Sequence, residues 1–477
     1  GAQPPATTRS PAGPGWGAPP VPPRGVAGPP PAGVRFVQGV WCDSAGLRRA
    51  RMIPANQFFH GGPASKSGVS LTKAVMALPS YGDVVAPGAG LGPVGAVRGI
   101  PDPTSLVPCP WNPGHMLALM DMHEKPGEEW EYCPRAALRR ALRALDAEFG
   151  LELQCGIEHE FVLLKQAAPD GEWVPIDECS YSDVAAINSP VAMCALQDMA
   201  DALEAIGIHV ELIHSESCRG QFEIVTAHPC ALEAADKALL ARVAISATAS
   251  KHGLRATFVP KLLPSEAGSG AHVHLSLCTG GRSRMTSPGR GGNLPGGSSD
   301  AESFAAGMLL HLPALVAFTA PSPNSFQRVQ PGCWAGAFSC WGMMNKEAPI
   351  NACNDAQGAF SHFEVKCVDA SASPHIALAA AVFAGLDGLR KGLRLPPPVQ
   401  AGPESLTEEE RGRAGVVPLP ESVAAACAAA RAEGAAPVRA GLGEGLVRAL
   451  LAVREAEEAH FGGWSLEEEV KVLINRY

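Results

Sequence analysis

Four short stretches of the chain alternate apolar and polar residues with a period of two, the spacing of a half-buried β-strand. In GIEHEFVL (156–163), Ile157, Phe161 and Leu163 share one face with His159, while Glu158 and Glu160 take the other. In QFEIV (221–225), Gln221 and Glu223 oppose Phe222 and Ile224. In AHVHLSL (271–277), His272, His274 and Ser276 oppose Val273, Leu275 and Leu277. In HFEVKCV (362–368), His362, Glu364 and Lys366 oppose Phe363, Val365 and Cys367. A fifth alternating segment, VRFVQGVWCDSAGLRRARMIP (34–54), predicts a β-hairpin around a Ser-Ala-Gly turn. Helical periodicity takes over after Pro134, a favoured first-turn residue, in RAALRRALRALDAEFG. Further helices are expected over 190–206, 229–252, 302–319 and 375–393. The C-terminal stretch, with TEEERGR, REAEEAHF and SLEEEVKVL, reads as helical and charged, and the Gly/Ser/Arg-rich 279–300 as a loop.

Composition narrows the class. The chain has 477 residues, 46% hydrophobic and 18% charged, which suits a globular protein with room for more than one core. The formal net charge of −9 argues against a nucleic-acid partner, which usually leaves a basic footprint. The most apolar run, Met308 to Ala320, contains His311 and Pro313 and is read as a buried helix segment rather than a membrane span. The 14 cysteines include no CxxC pair, so they are read as small buried hydrophobes in a reducing compartment, the cytoplasm or an organelle. No secretory signal is expected, because the first residues lack an apolar core segment. Residues 1–33 hold 11 prolines, 7 glycines and no acid, and are expected to form a disordered tail or linker. GAGLGPVG (88–95) follows a proline and leads to the PDP turn rather than to a helix, so it is not a dinucleotide-binding loop.

The polar faces carry the chemistry. Glu158 and Glu160 lie roughly 6–7 Å apart along one strand and need a positive partner. HSES adds Glu216 just ahead of Glu223. Each strand taken singly is an ordinary amphipathic strand. Jointly they collect five glutamates and several histidines where a plain solvent face would mix Lys, Thr and Arg. Carboxylate oxygens suit Mg²⁺ or Mn²⁺, with imidazole tilting towards Mn²⁺. So many acids around one sheet face suggest two divalent ions and phosphoryl transfer. There is no Walker A loop, so ATP is expected to be held by metals and scattered cations.

These stretches, in this order, resemble the signatures of the glutamine synthetase family. GIEHEF resembles its G-x-E-x-E-F strand, and HSESCRGQFEI its H-x-E and G-Q-x-E pair. ATFVPK, GSGAHVHLSL, NSFQRVQPG and HFEVKCVDASASPHIALAAAVFAGLDGL resemble the remaining motifs, so the likeness covers about residues 34–477. The resemblance implies an α+β subunit: an N-terminal β-grasp domain (34–126), then a catalytic domain (127–477) with a curved antiparallel sheet flanked by helices. It implies homo-oligomers in stacked rings, with active sites between neighbours. It implies ATP and two or more Mg²⁺ or Mn²⁺ ions, one held by Glu160, Glu216 and Glu223 and the other by Glu158, His272 and Glu364. His274, Ser276, Lys261 and His362 fall on the nucleotide side. Gly268, His272 and Arg328 fall on the amino-acid side, with Lys366 at the position of a substrate-side arginine. Asp83 matches an acid that reaches a neighbouring subunit's site. The implied reaction phosphorylates the γ-carboxylate of glutamate and condenses it with ammonia or an organic amine.

The pattern also breaks. Where bacterial-type members carry a flap glutamate after P-G-Y, PGCW places Trp334, which cannot act as a base but can stack on an amine. Phosphate-clamping arginines are replaced by Met344, Asn351 and His362, and Lys366 offers charge without a bidentate fork. PGCW, HFE-x-K and AGLDGLRKGL resemble the FluG-type branch, in which an amidohydrolase domain sometimes precedes, and the Pro/Gly-rich tail would suit such a linker. A second reading is a homologue with a structural or regulatory role and negligible turnover. A third, a thiol hydrolase using Cys333 or Cys218, lacks a nucleophile motif.

Overall fold

The expected hairpin forms from Phe36–Cys42 and Arg48–Pro54, paired antiparallel in a computed structural model that describes residues 28–168, 171–287 and 292–477. Residues 1–27 of the expected tail lie outside the described residues. The hairpin joins a mixed sheet in the order Arg48–Pro54, Phe36–Cys42, His115–Lys125, Ala96–Pro101, Val69–Thr72. The central pair, Phe36–Cys42 with His115–Lys125, is parallel and the others antiparallel, an arrangement that fits the β-grasp expectation. GAGLGPVG leads into the strand Ala96–Pro101, not into a helix. Val40, Trp41, Leu117 and Leu119 on this sheet belong to the same continuous core as the helices that follow.

The main sheet is curled and runs Val210–Ser215, Gln221–Thr226, Glu152–Gln166, Val273–Thr279, Phe360–Val365, Ile350–Asn354, Trp341–Met343. Neighbours are antiparallel except for the last pair, which is parallel. The four alternating strands named from the sequence are therefore contiguous. Their apolar faces (Cys155, Ile157, Phe161, Leu163, Phe222, Ile224, Val273, Leu275, Phe363) are buried under helices. His159 goes with them and is 3% exposed. Burial, with Arg242 nearby, lowers its pKa to about 3, so it stays neutral inside the core.

The helices form where the periodicity placed them: Pro134–Phe149, Pro190–Ala205, Ala231–Lys251, Ser299–Thr319 and Pro374–Lys391. Pro134 occupies the first turn, and Gly150 ends that helix in the left-handed conformation at φ 63°. Ser299–Thr319 extends further back than the apolar run alone indicated. The Ser298 hydroxyl caps it by accepting from the Ala301 N–H, and Asp300 and Glu302 supply the acidic first turn. By length and composition it could cross a bilayer, but 83% of its most apolar window is buried inside the protein. It runs beside Pro374–Lys391, and the backbones meet at Gly307 and Gly388.

Arg135 ties the first sheet to the helix Ala231–Lys251, which packs on the main sheet. Its guanidinium donates to Asp121 (2.9 Å) on the first sheet, to Asp102 (2.9 Å) beside it, and to Asp236 (2.7 Å) on Ala231–Lys251. His375, at the start of Pro374–Lys391, lies 2.7 Å from the same Asp236.

Candidate active site

Because the strands are contiguous, their polar residues fall into cross-strand rows. In one row His214 faces Glu223, and Glu223 faces Glu160. In another, His274 faces Glu364, and Glu364 faces Asn351. Like charges directly opposite one another destabilise a sheet, so the Glu223–Glu160 pair needs a cation. His214 supplies part of it, with Nε2 at 3.3 Å from Glu223 and Nδ1 at 3.6 Å from Glu216. That hydrogen bond to Glu223, more than any other contact, raises the imidazole to about 9.

A second cluster centres on His272. Its Nδ1 lies 2.6 Å from Glu158, 3.4 Å from Glu160 and 3.7 Å from Glu364. Its Nε2 lies 3.0 Å from the Arg328 guanidinium, which also donates to the carbonyls of Val368 and Lys366. Glu364 accepts from Lys366 (2.9 Å) and Asn351 (2.7 Å). Burial works against its ionisation, yet Lys366 and His272 hold it down to about 2. Glu158 is likewise held well below the carboxylate range, against burial, by its hydrogen bonds to His272 and His274. Gly268 admits Arg328: a Cβ there would lie 2.3 Å from the Pro260 carbonyl and 2.7 Å from the Arg328 Cγ.

The clusters line a cavity of about 720 Å³ that also takes in Lys261, Cys333, Trp334 and Lys346. Trp334 is 56% exposed at its edge with φ +53°, and its backbone N–H donates to Glu347. Tyr181, equally exposed, is a second aromatic at the wall. The Lys261 ammonium is tied to the Glu266 carbonyl. His274 lies beside this cavity, 2.9 Å from both Glu158 and His362. Ser276 is half-buried further along the same face. Asp83 stands apart, 86% exposed and 3.8 Å from Arg49, outside the cavity of its own chain. The Cys218 thiol is pushed by burial and by Glu266 to about 12, which makes it a poor nucleophile.

The donor set fits divalent cations. Carboxylate and imidazole atoms come within 4.8 Å of one another in three groups: Glu158–Glu160–His272 and Glu158–His274–Glu364, which share Glu158, and His214–Glu216–Glu223. Burial, with Glu160 and Glu223 close by, drives Glu216 up to about 7, and burial raises Glu223 too. Burial is the larger cause in both and the neighbouring carboxylates add to it, and a divalent ion held here would offset both. Sequence reasoning gave no role to His214, Lys346 or Tyr181. His214 was readable, since it stands two residues before Glu216 at the end of the strand Val210–Ser215. Lys346 and Tyr181 stand in irregular segments where no periodicity marks them.

The glutamine synthetase catalytic domain matches residues 131–471. The chain belongs to the glutamine synthetase family. This family member is 34% identical over 436 residues to gamma-glutamylpolyamine synthetase GlnA3 of Streptomyces coelicolor, covering 90% of this chain and 91% of that one. It is 32% identical over 456 residues to Protein fluG of Emericella nidulans, covering 93% of this chain but 49% of the relative, so it spans about half of that protein. Among solved structures it superposes on a novel glutamine synthase homolog with a TM-score of 0.79 at 28% identity, covering 93% of this chain and 99% of the other. Ligase chemistry on small molecules with ATP and divalent metals is thus the family setting of the cavity described above.

Proposed function

We propose that this glutamine synthetase family member is an ATP-dependent ligase that joins the γ-carboxyl of glutamate to an organic amine. The observation that carries the amine is the cavity edge: Trp334 and Tyr181 stand exposed beside a cavity rich in carboxylates. Aromatic faces next to carboxylates suit an organic cation better than they suit ammonium. The similarity to a gamma-glutamylpolyamine synthetase supports the same choice.

In this reading Glu160, Glu216 and Glu223 hold one divalent ion, with His214 beside them, and Glu158, His272 and Glu364 hold the other. When bound, such ions neutralise a transferring phosphoryl group. The rest falls to the chain's own groups. Arg328, oriented by His272 and two carbonyls, faces the amino-acid substrate, and Lys366 sets positive charge beside the γ-carboxyl. His274, Ser276, Lys261 and His362 lie on the nucleotide side. Trp334 covers the amine and cannot take its proton, so binding and deprotonation of the amine fall to different groups. Stacked rings, with Asp83 reaching a neighbour, belong to the same proposal, and its exposure leaves it free to do so.

The deciding experiment is phosphate release by the purified protein with ATP, Mg²⁺ or Mn²⁺ and glutamate, across ammonia, hydroxylamine and a panel of organic amines. Release that depends on an organic amine, and exceeds that with ammonia, is expected. One observation favours a second reading, a structural or regulatory homologue. At the positions of the family's phosphate-clamping arginines, Asn351 is committed to Glu364 and Met344 is exposed and uncharged. Silence across the panel, with ATP and metal still bound, would establish that reading instead.

A further inference from the structure

Beside the carboxylate clusters lies a set of softer donors. Cys353 and His362 face each other across adjacent strands, and His274 stands on the next strand over. One donor atom from each of His274, Cys353 and His362 comes within 4.8 Å of the others. We propose that these three side chains form a further site for a Zn²⁺-class ion on the nucleotide side of the cavity, sharing His274 with the Glu158–His274–Glu364 group, with one coordination position left open for water or an anionic oxygen.

The ligand type is the first argument. Two imidazoles and a thiolate are poor ligands for Mg²⁺ and good ones for Zn²⁺, which takes such triads with an open fourth position. The second argument is that each ligand is already oriented by a further partner. His274 places Nε2 at 2.9 Å from a Glu158 oxygen, which leaves Nδ1 to face His362. His362 places Nδ1 at 3.0 Å from the Ser361 hydroxyl, which leaves Nε2 to face His274. Asn351 donates to the Cys353 sulfur at 3.5 Å, and its amide is fixed in turn by Glu364 at 2.7 Å. Such outer partners fix the tautomer and ring angle of metal-bound histidines.

The third argument is distance. His274 Nδ1 and His362 Nε2 are 2.9 Å apart. Tetrahedral Zn²⁺ with ordinary bond lengths separates two nitrogen ligands by about 3.3 Å. The rings therefore need to part by only a few tenths of an ångström, and half-buried Cys353 closes the triangle. Binding replaces the His274–His362 hydrogen bond and expels the Cys353 proton to solvent.

The test titrates the full chain, saturated with Mg²⁺, with Co²⁺ and then Zn²⁺, using the sulfur-to-cobalt charge-transfer absorption as readout. One equivalent of Co²⁺ should produce that band and Zn²⁺ should remove it. Cys353→Ser should abolish the band and weaken Zn²⁺ binding at least tenfold. His362→Gln, which keeps the thiol, should weaken Zn²⁺ binding by a similar factor, and it serves if the serine variant fails to fold. A Cys194→Ser/Cys230→Ser variant, which removes the exposed thiols, should keep the band. Absence of the band in the wild-type chain, or its survival in Cys353→Ser, would overturn the proposal. Phosphate release is not read, so failure of the ligase reading leaves this test unaffected.

Discussion

Glu364 accepts from both Lys366 and Asn351 and still lies 3.7 Å from His272, so one carboxylate ties the cationic side of the cavity to the acidic side. Glu364→Gln keeps its shape and removes its charge. Mn²⁺ affinity, followed by calorimetry, is expected to fall at least tenfold, about 1.4 kcal/mol or more, with amine-dependent phosphate release falling alongside. Unchanged Mn²⁺ binding would take Glu364 out of the ligand set. Trp334 tests the other end of the cavity. Trp334→Glu is expected to shift the preference from organic amines towards ammonia, read as the ratio of kcat/KM values for the two. A ratio within twofold of wild type would mean that the position does not choose the amine. At this scale the acids were legible because a strand displays alternate residues on one face. Lys346 was not legible, because its position depends on how an irregular segment folds back over the sheet.

At the scale of elements, the AGLDGL segment in Pro374–Lys391 is explained by packing. A Cβ on Gly388 would lie 2.1 Å from the Ser303 carbonyl and 2.7 Å from the Gly307 backbone. The two long apolar helices can cross this closely only because both residues lack side chains. Gly388→Ala forces backbone against backbone, where no rotamer change gives relief, and should cost on the order of 1–3 kcal/mol, as other overpacked sites do. Gly412→Ala, in the helix Glu408–Ala414 with nothing within 4 Å of its Cβ, should be neutral or slightly stabilising. Thermal midpoints of the two variants should therefore move apart, and a Gly388→Ala midpoint equal to wild type would refute the packing account. Helix positions were readable from periodicity and from Pro and Gly signals. The crossing was not, since a glycine at a helix contact and a glycine on an open helix face look alike in sequence.

For the whole molecule, the junction at Arg135 ties the first sheet to the helix that packs on the main one, and its charges contribute to how the protein responds to acid. Asp236 is the most informative member. Burial opposes its ionisation, but His375 and Arg135 hold it down to about 2. A carboxylate depressed from its ordinary value contributes stability above the unfolded pKa and loses it as pH falls through the folded one. For Asp236 the window runs from about pH 4 to about pH 2, and the contribution is roughly 2 kcal/mol. His375 acts in the same direction earlier. Burial lowers its pKa, so the native state resists protonating it as pH drops below the ordinary imidazole range. Arg135→Met takes the shared guanidinium from Asp102, Asp121 and Asp236, leaving Asp121 with Arg139 and Asp236 with His375. At pH 7 this should cost about 3–5 kcal/mol, the usual result of removing one partner from a buried ion pair. The diagnostic feature is the pH dependence of that loss. As the stranded carboxylates take up protons their repulsion disappears, so the gap in thermal midpoint between wild type and Arg135→Met should narrow from pH 7 to pH 4. A gap that stays constant over this range would mean that Arg135 supports the junction by packing its side chain rather than by balancing three acids.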